Sequence, residues 1–205
     1  MPPQGILFIV SAPSGAGKTS LLRELVPADP QLVMSVSHAT RAKRPGEEDG
    51  VHYHFIGAER FEELVEQGAF LEHARVFDNY YGTAEAAVRD QLGAGLDVVL
   101  EIDWQGARQV RERFPGAVSI FVAPPSIEAL RERLSGRGQD GPEIIARRMA
   151  EAQAELSHYP EYDYLVVNDR FGQALDELRA IVTAERLREP RQAARHVDSL
   201  RAMLG

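Results

Sequence analysis

The sequence of 205 residues contains no cysteine. Disulfide bonds, thiolate nucleophiles and cysteine-ligated zinc sites are therefore excluded, and stability must come from packing. The chain also lacks a long hydrophobic run, because the apolar stretch Ile6 to Val10 is too short for a signal peptide or a membrane span. We expect a soluble, cytoplasmic protein that has no membrane partner.

Basic residues are outnumbered by acidic ones, 23 Lys and Arg against 31 Asp and Glu, which gives a formal net charge of −8. Nucleic-acid-binding domains usually carry a basic surface, so this balance argues against nucleic acid as a partner. Small anionic ligands stay open, since a local arginine cluster can bind phosphate on an acidic protein. The charge therefore favours a small-molecule ligand over a polyanion.

Short apolar runs alternate with helical patterns along most of the chain. Four runs are typical of buried strands, because each is short, apolar and rich in branched residues: Ile6 to Val10, Leu96 to Ile102, Val118 to Val122 and Tyr164 to Val167. Helical patterns lie between them, which indicates βαβ units. We predict an α/β fold with a three-layer α/β/α core around a mainly parallel sheet.

Two segments interrupt this alternation. Residues 33–83 hold short polar stretches and many aromatics, which predicts a small α+β insertion. Residues 135–157 begin with the Gly-rich and charged sequence SGRGQDGPE, which is typical of a short mobile lid. We expect one domain over 1–205. Its core comprises about 1–32, 84–134 and 158–189, and a peripheral C-terminal helix spans about 190–205.

A glycine-rich segment, APSGAGKT, joins the first predicted strand to the first helix. It fits the P-loop pattern G-x-x-x-x-G-K-[ST], with Ala12 at the first glycine position. Its glycines let backbone N–H groups approach phosphate oxygens, and the dipole of the following helix adds to this anion site. Lys18 is expected to reach the β- and γ-phosphates, and the Thr19 hydroxyl is expected to hold Mg²⁺. The predicted triphosphate ligands are Ser14, Gly15, Ala16, Gly17, Lys18, Thr19 and Ser20.

Two carboxylates, Glu101 and Asp103, end the predicted strand at 96–102. Side chains two residues apart point to the same side of a strand. The carboxyl ends of strands are where open α/β sheets bind ligands, so Asp103 is expected to order Mg²⁺ or its waters. The alternative is that these acids only stabilise the start of the next helix.

The segment SVSHATRAKRPGEEDG places Arg41 and Arg44 three residues apart in a polar, turn-rich stretch. Two guanidinium groups suit a phosphate dianion, because arginine donates in a planar, bidentate geometry. A solvated charged loop is the alternative interpretation. Further polar groups that favour a binding site are Tyr53, Glu72, Tyr81 and Thr83.

Six motifs occur in order along the chain: SAPSGAGKT, SHATRAKRPGE, FLEHARVFDNYYGT, EIDWQGA, RLSGRG and VVND. In order and spacing they resemble the bacterial guanylate kinases, from about Gly5 to Arg188. The resemblance implies transfer of a phosphoryl group from ATP to GMP, with Mg²⁺ as the cofactor. It implies that Arg41, Arg44, Tyr53 and Tyr81 hold the GMP phosphate, and that Ser37, Glu72 and Thr83 read the guanine with help from Glu101 and Asp103.

The same resemblance implies the groups that act on the transferred phosphate. Arg133, Arg137 and Arg148 match arginines that close over it, beside Lys18, and Asn168 matches a residue near the adenine of ATP. Family members often carry Asp where this chain has Glu101, which is a departure from the pattern. A GMP phosphate oxygen is already ionised near neutral pH, so the reaction requires no general base.

The chemistry of guanine agrees with a carboxylate at position 72. Guanine has donors at N1–H and at the 2-amino group, and one carboxylate can accept from both. Adenine has a lone pair at N1, and sites built on such hydrogen bonds reject the wrong ligand by roughly 10⁴–10⁵. Two alternatives remain: a non-catalytic guanylate-kinase-like module that binds proteins, and a related P-loop kinase with another phosphorylated acceptor. The sequence leaves the oligomeric state open.

Overall fold

A computed structural model describes residues 4–76, 78–135 and 142–205. Its strands are β1 Leu7–Ser11, β2 Leu32–Met34, β3 His38–Ala39, β4 His54–Phe55, β5 Phe70–Val76, β6 Asn79–Ala84, β7 Asp97–Glu101, β8 Val118–Ala123 and β9 Tyr164–Val167. Its helices are α1 Lys18–Leu25, α2 Ala58–Glu66, α3 Glu85–Gly93, α4 Trp104–Arg113, α5 Ile127–Ser135, α6 Pro142–Leu156, α7 Phe171–Arg186, α8 Glu189–Arg195 and α9 Val197–Leu204, with a 3₁₀ turn at Tyr159–Glu161.

The central sheet has the strand order β2-β7-β1-β8-β9, and all its pairings are parallel. Strand β1 is buried along its whole length because both faces are covered. Phe8 and Val10 pack with buried residues of α1 and α7, whereas Leu7 and Ile9 pack with those of α3 and α4. The predicted α/β fold, with a mainly parallel sheet between helical layers, is confirmed.

A second, smaller sheet has the order β4-β3-β6-β5. Two of its pairings are antiparallel and the β3–β4 pairing is parallel. Helix α2 covers it through Phe61, which is buried against Phe70 with a ring-centroid distance of 4.7 Å. Strand β6 leads directly into α3 of the core, so the two sheets are joined at the edge where the core strands end.

The C-terminal segment differs from the single helix expected over 190–205. The structure has two helices, α8 and α9, which meet at His196. The backbone of His196 leaves the helical region, with φ −111° and ψ 20°. Its N–H still donates to the carbonyl of Gln192 and its carbonyl accepts from Leu200, so one residue ends α8 and begins α9.

Parallel pairing brings the carboxyl ends of β1, β7, β8 and β9 to one edge of the core sheet. The P-loop segment follows β1, Glu101 ends β7, and Asn168 follows β9. The segments singled out in the sequence therefore meet at this edge. Within the described residues, no helix combines the length and the apolar character needed to cross a bilayer.

Candidate functional site

A cleft of about 380 Å³ lies between this edge of the core sheet and the second sheet. At the core end it is lined by Ala12, Pro13, Ser14, Gly15, Gly17, Lys18, Thr19, Ser20, Glu101, Ile102, Asp103 and Glu155. At the other end it is lined by Ser37, Arg41, Arg44, Tyr53, Glu72, Ala74, Val76 and Tyr81. The predicted phosphate loop and the predicted acceptor residues other than Thr83 thus line one cavity.

The loop between β1 and α1 requires glycine at two positions. Gly15 and Gly17 have φ values of 89° and 95°, in the left-handed region that disfavours residues with a side chain. A Cβ on Gly17 would lie 2.4 Å from Nδ2 of Asn168, and one on Gly15 would lie 3.0 Å from the Leu134 side chain. The loop therefore holds its curved shape only with glycine at these positions.

Two residues support the loop from outside the cleft. The buried Asn168 amide donates to the carbonyl of Ala16 at 2.7 Å. The Arg133 guanidinium donates to the carbonyls of Asn168, at 2.8 Å, and of Ala16, at 3.4 Å. Neither Asn168 nor Arg133 belongs to the described residues that line the cleft. The contact of Asn168 with adenine and the contact of Arg133 with phosphate therefore stay predictions.

Of the other two predicted lid arginines, one falls within the described residues. Arg148 lies on α6 and is half-buried. Arg137 falls outside the described residues. The roles implied for both remain predictions.

Lys18 and Thr19 face the end of β7. The Lys18 ammonium donates to the carbonyl of Ile102 at 3.3 Å, and the Thr19 hydroxyl donates to the Glu101 carboxylate. These hydroxyl and carboxylate oxygens are donors of the kind that Mg²⁺ prefers. The structure thus brings Glu101 to Thr19, whereas the sequence suggested Asp103 as the metal-ordering acid.

Asp103 caps the start of α4. Its Oδ1 accepts from the N–H of Gly106 at 2.9 Å, and its Oδ2 accepts from the Gln105 amide at 3.2 Å. A carboxylate at a helix N-terminus satisfies backbone donors that have no partner inside the helix. The helix-stabilising interpretation therefore describes what Asp103 does in this structure, although the side chain also lines the cleft.

Three side chains form a hydrogen-bonded chain at the far end of the cleft. Ser37 and Thr83 join through their hydroxyls at 3.0 Å, and the Thr83 hydroxyl donates to Oε1 of Glu72 at 2.5 Å. Glu72 and Thr83 face each other because β5 and β6 pair antiparallel. The sequence grouped these three residues only through the resemblance, and the structure places them in contact.

Glu72 is only 3% exposed. The pKa of its carboxyl is raised to about 7, chiefly by burial; the bond from Thr83 lowers the pKa and the negative charge of Asp103 raises it. A Cβ on Gly106 would lie 2.5 Å from Oε2 of Glu72, so only glycine at this position of α4 leaves room for the carboxylate. Glu72 is thus held between β6 and α4, with one oxygen on Thr83.

Arg41 lies beside two tyrosine rings at the same end of the cleft as Glu72. Its guanidinium lies 5.0 Å from the centroid of the Tyr53 ring, and the rings of Tyr53 and Tyr81 are 5.9 Å apart. Arg44, exposed, lines the same part of the cleft. Cations and hydroxyls are therefore gathered in one region, which suits an oxyanion.

Glu47, which the sequence analysis did not single out, orients Arg41. Both of its oxygens accept from the guanidinium at 2.6 Å, and one also accepts from the N–H of Arg44 at 2.9 Å. The bonds from Arg41 lower the pKa of the Glu47 carboxyl to about 2. An acid six residues after a candidate phosphate-binding arginine, just beyond the Pro45-Gly46 turn, was the available signal.

Replacing Glu47 with Gln is expected to lower the free energy of unfolding by about 1–3 kcal/mol at pH 7. The Arg41 side chain is only 10% exposed and would lose one of two charge-assisted hydrogen bonds. Chemical denaturation measures this loss, with Glu48→Gln, an exposed neighbour, as the control.

The same variant has a pH signature. The folded pKa of Glu47 lies below its unfolded value of 4.5, so its contribution is present above pH 4.5 and is lost as pH falls towards 2. Glu47→Gln should therefore show a smaller loss of stability than the wild type over this window. An unchanged slope would mean that the pair contributes nothing to the fold.

Glu155, also missed by the sequence analysis, reaches the loop from the last turn of α6. Its Oε2 accepts from the N–H of Ser14 at 3.2 Å, and its side chain lines the cleft. Burial raises the pKa of its carboxyl, while the Ser14 N–H and Lys18 lower it. An acidic side chain from α6 therefore contacts the loop that is predicted to bind phosphate.

Comparison with known proteins gives a consistent result. A family model described as guanylate kinase matches residues 4–185. The chain is 61% identical to a guanylate kinase of Alkalilimnicola ehrlichii, over 98% of this chain and 99% of that protein. It is 60% identical to one of Chromohalobacter salexigens, over 99% and 94%. A crystal structure of guanylate kinase from Anaplasma phagocytophilum matches with a TM-score of 0.76 at 35% identity, covering 93% of this chain and 91% of that one.

Proposed function

The chain belongs to the guanylate kinase family of enzymes, and on that premise we propose that it transfers the γ-phosphoryl group of ATP to GMP, giving ADP and GDP. The observation that carries the proposal is the shared cleft, which has the glycine-dependent loop at one end and the buried Glu72 at the other. A donor triphosphate and an acceptor base would then lie in one cavity.

The acceptor end suits guanine and a phosphate dianion. We propose that the ionised Glu72 accepts from N1–H and the 2-amino group of guanine, beside Ser37 and Thr83. The acceptor phosphate would bind to Arg41, Arg44, Tyr53 and Tyr81, and Glu101 and Asp103 lie on the core side of the same cleft. Adenine would place a lone pair against Glu72 and leave the buried carboxylate unpaired, which is the basis of selectivity.

The donor end suits a triphosphate. The ATP phosphates would bind to the backbone of Ser14, Gly15, Ala16 and Gly17 and to Lys18, Thr19 and Ser20, with Asn168 supporting the loop. Thr19 and Glu101 would hold Mg²⁺, and Asp103, which lines the same cleft, would order its waters. When bound, the cation neutralises charge on the β- and γ-phosphates.

Catalysis would rest on placement and on charge stabilisation. Lys18 lies at the start of α1, where its ammonium would contact the phosphoryl group during transfer. Arg133, Arg137 and Arg148 would join it when the lid closes, which also excludes water as a competing acceptor. The approach of Arg133 requires a rearrangement, because its guanidinium donates to backbone carbonyls in this structure.

The two alternatives fit the site less well. A protein-binding module has no need for Lys18 and Thr19 at the start of α1 or for left-handed glycines at 15 and 17. A kinase for another phosphorylated acceptor has no need for a buried carboxylate 2.5 Å from Thr83. The cytoplasmic location and the absence of nucleic-acid and membrane partners stay predictions from the sequence.

The direct test is ADP formation in a coupled assay with ATP, Mg²⁺ and one acceptor at a time: GMP, AMP, CMP or UMP. We expect rapid turnover with GMP alone, and none after chelation of Mg²⁺. Turnover with a different acceptor would favour the related-kinase alternative. Binding of GMP without turnover would favour the non-catalytic module.

A further inference from the structure

The carboxylate of Glu155 accepts a hydrogen bond from a backbone N–H group of the phosphate loop. Its Oε2 accepts the N–H of Ser14 at 3.2 Å, and the residues are 141 positions apart in the chain. Lys18 lies close enough to lower the pKa of this carboxyl. In the described part of the chain Glu155 has no ion-pair partner within 4.0 Å, so the loop N–H is its direct contact.

The chemistry of this contact is that of a phosphate oxygen. Backbone N–H groups in such a loop form an anion-binding concavity, and a carboxylate oxygen is an acceptor with the same charge sign as phosphate. Two anions at one donor repel each other, particularly in a half-buried cleft where water screens them less. A triphosphate that reaches the Ser14 N–H must therefore displace Glu155.

We propose that Glu155 is a placeholder for the donor phosphate: it occupies the cradle when no triphosphate is bound and competes with the triphosphate for it. The identity of the triphosphate as ATP rests on the proposed function. The contact makes Glu155 a determinant of donor affinity, with no part in acceptor binding.

The location of Glu155 on α6 links this competition to the lid. Arg148 lies on the same helix, seven residues or about two turns earlier, and so on nearly the same face. The contact between the Glu155 carboxylate and the Ser14 N–H therefore lies at the end of the helix that carries Arg148, and displacement by phosphate would break it there.

The test is calorimetric titration of the full-length protein with a non-hydrolysable ATP analogue and Mg²⁺. Glu155→Gln keeps an oxygen that accepts from Ser14 but removes the charge. We expect it to bind the analogue about three- to tenfold more tightly than the wild type, with GMP affinity unchanged. Glu143→Gln, an exposed acid of the same helix, is the matched control and should behave as the wild type.

The dependence of analogue affinity on pH distinguishes competition by the Glu155 carboxylate from a structural role of this residue. The pKa of Glu155 is raised, so acidification neutralises this carboxyl in the free protein before an exposed glutamate would titrate. The affinity ratio between Glu155→Gln and the wild type should therefore fall towards one as pH is lowered. Glu155→Ala, which lacks any acceptor, is expected to shift affinity in the same direction as Glu155→Gln.

Inorganic tripolyphosphate, titrated in parallel, distinguishes the possible failures. Equal or weaker binding of both probes by Glu155→Gln would overturn the placeholder proposal alone. If the wild type binds neither tripolyphosphate nor the analogue, the proposed function fails, and this proposal fails with it. Tighter binding of both probes by Glu155→Gln, with a ratio that depends on pH, is the result that supports competition at the cradle.

Discussion

Replacing Lys18 with methionine is expected to lower kcat with saturating GMP by about 10²–10³-fold. Removal of one preorganised charge donor typically costs 10²–10³ in rate, and Lys18 is the only lysine that lines the cleft among the described residues. Within the part of the chain that the structure describes, its ammonium donates to the carbonyl of Ile102 alone, at 3.3 Å, so the fold depends little on this side chain. Steady-state kinetics in the coupled assay measures the loss.

The matched control for Lys18→Met is Lys43→Met. The chain has two lysines, and Lys43 is exposed and does not line the cleft. We expect its kcat to stay within about twofold of the wild type, since surface substitutions away from a site have small effects. A second variant, Lys18→Arg, keeps the positive charge but changes the shape of the cationic group. Its kcat should remain far below that of the wild type if the position of the charge matters. A wild-type kcat in Lys18→Met would show that this lysine takes no part in the reaction.

Replacing Glu72 with Gln is expected to raise the KM for GMP by about 10–10² with a much smaller effect on kcat. One amide oxygen can still accept a hydrogen bond, but the amide nitrogen would face a guanine donor. Loss of a charge-assisted hydrogen bond in a buried site costs about 1.5–3 kcal/mol, which corresponds to this range. Contact with Thr83 and the tight approach of Gly106 prevent the side chain from turning away.

Glu66→Gln, at the exposed end of α2, is the control for this variant and should leave the KM unchanged. A Glu72→Gln enzyme with the wild-type KM for GMP would contradict base recognition by this carboxylate. Reduced kcat with unchanged KM would assign Glu72 a role in the chemical step instead.

The pKa of Glu72 predicts how GMP binding depends on pH. Guanine requires the ionised carboxylate, and the pKa in the free protein is about 7, so protonation competes with GMP below that value. The KM should rise about tenfold per pH unit below 7, which makes it about tenfold higher at pH 6 than at pH 8. The GMP phosphate also titrates near pH 6, and comparison with Glu72→Gln removes that shared contribution.

The stability of the free protein should depend on Glu72 with the opposite sign to Glu47. The folded pKa of Glu72 lies above its unfolded value of 4.5, so the native state binds more protons between these values. The contribution of Glu72 is present below pH 4.5 and is lost as pH rises through 7. Glu72→Gln should abolish this loss, which chemical denaturation at pH 5 and pH 8 would detect.

Much of the fold followed from the sequence, because periodic patterns report local backbone structure. The run Ile6 to Val10 predicted a buried strand, and β1 is Leu7–Ser11 at the centre of the parallel sheet. The loop APSGAGKT could also be predicted from the sequence, because its glycines, its lysine and the following helix are contiguous. The break at His196 escaped, because nothing in the side chains near it marks the change of backbone angle, and so did β2, the fifth strand of the parallel sheet.

Contacts between distant residues were decided by the tertiary structure. Ser37 meets Thr83 across 46 positions, Thr19 meets Glu101 across 82, and the Ser14 N–H meets Glu155 across 141. The resemblance named some of these residues, but periodicity carries no information about which side chains meet across two elements. The register between β5 and β6, the close approach of α4 to Glu72 at Gly106 and the position of the end of α6 beside the loop determine such contacts, and all three depend on packing.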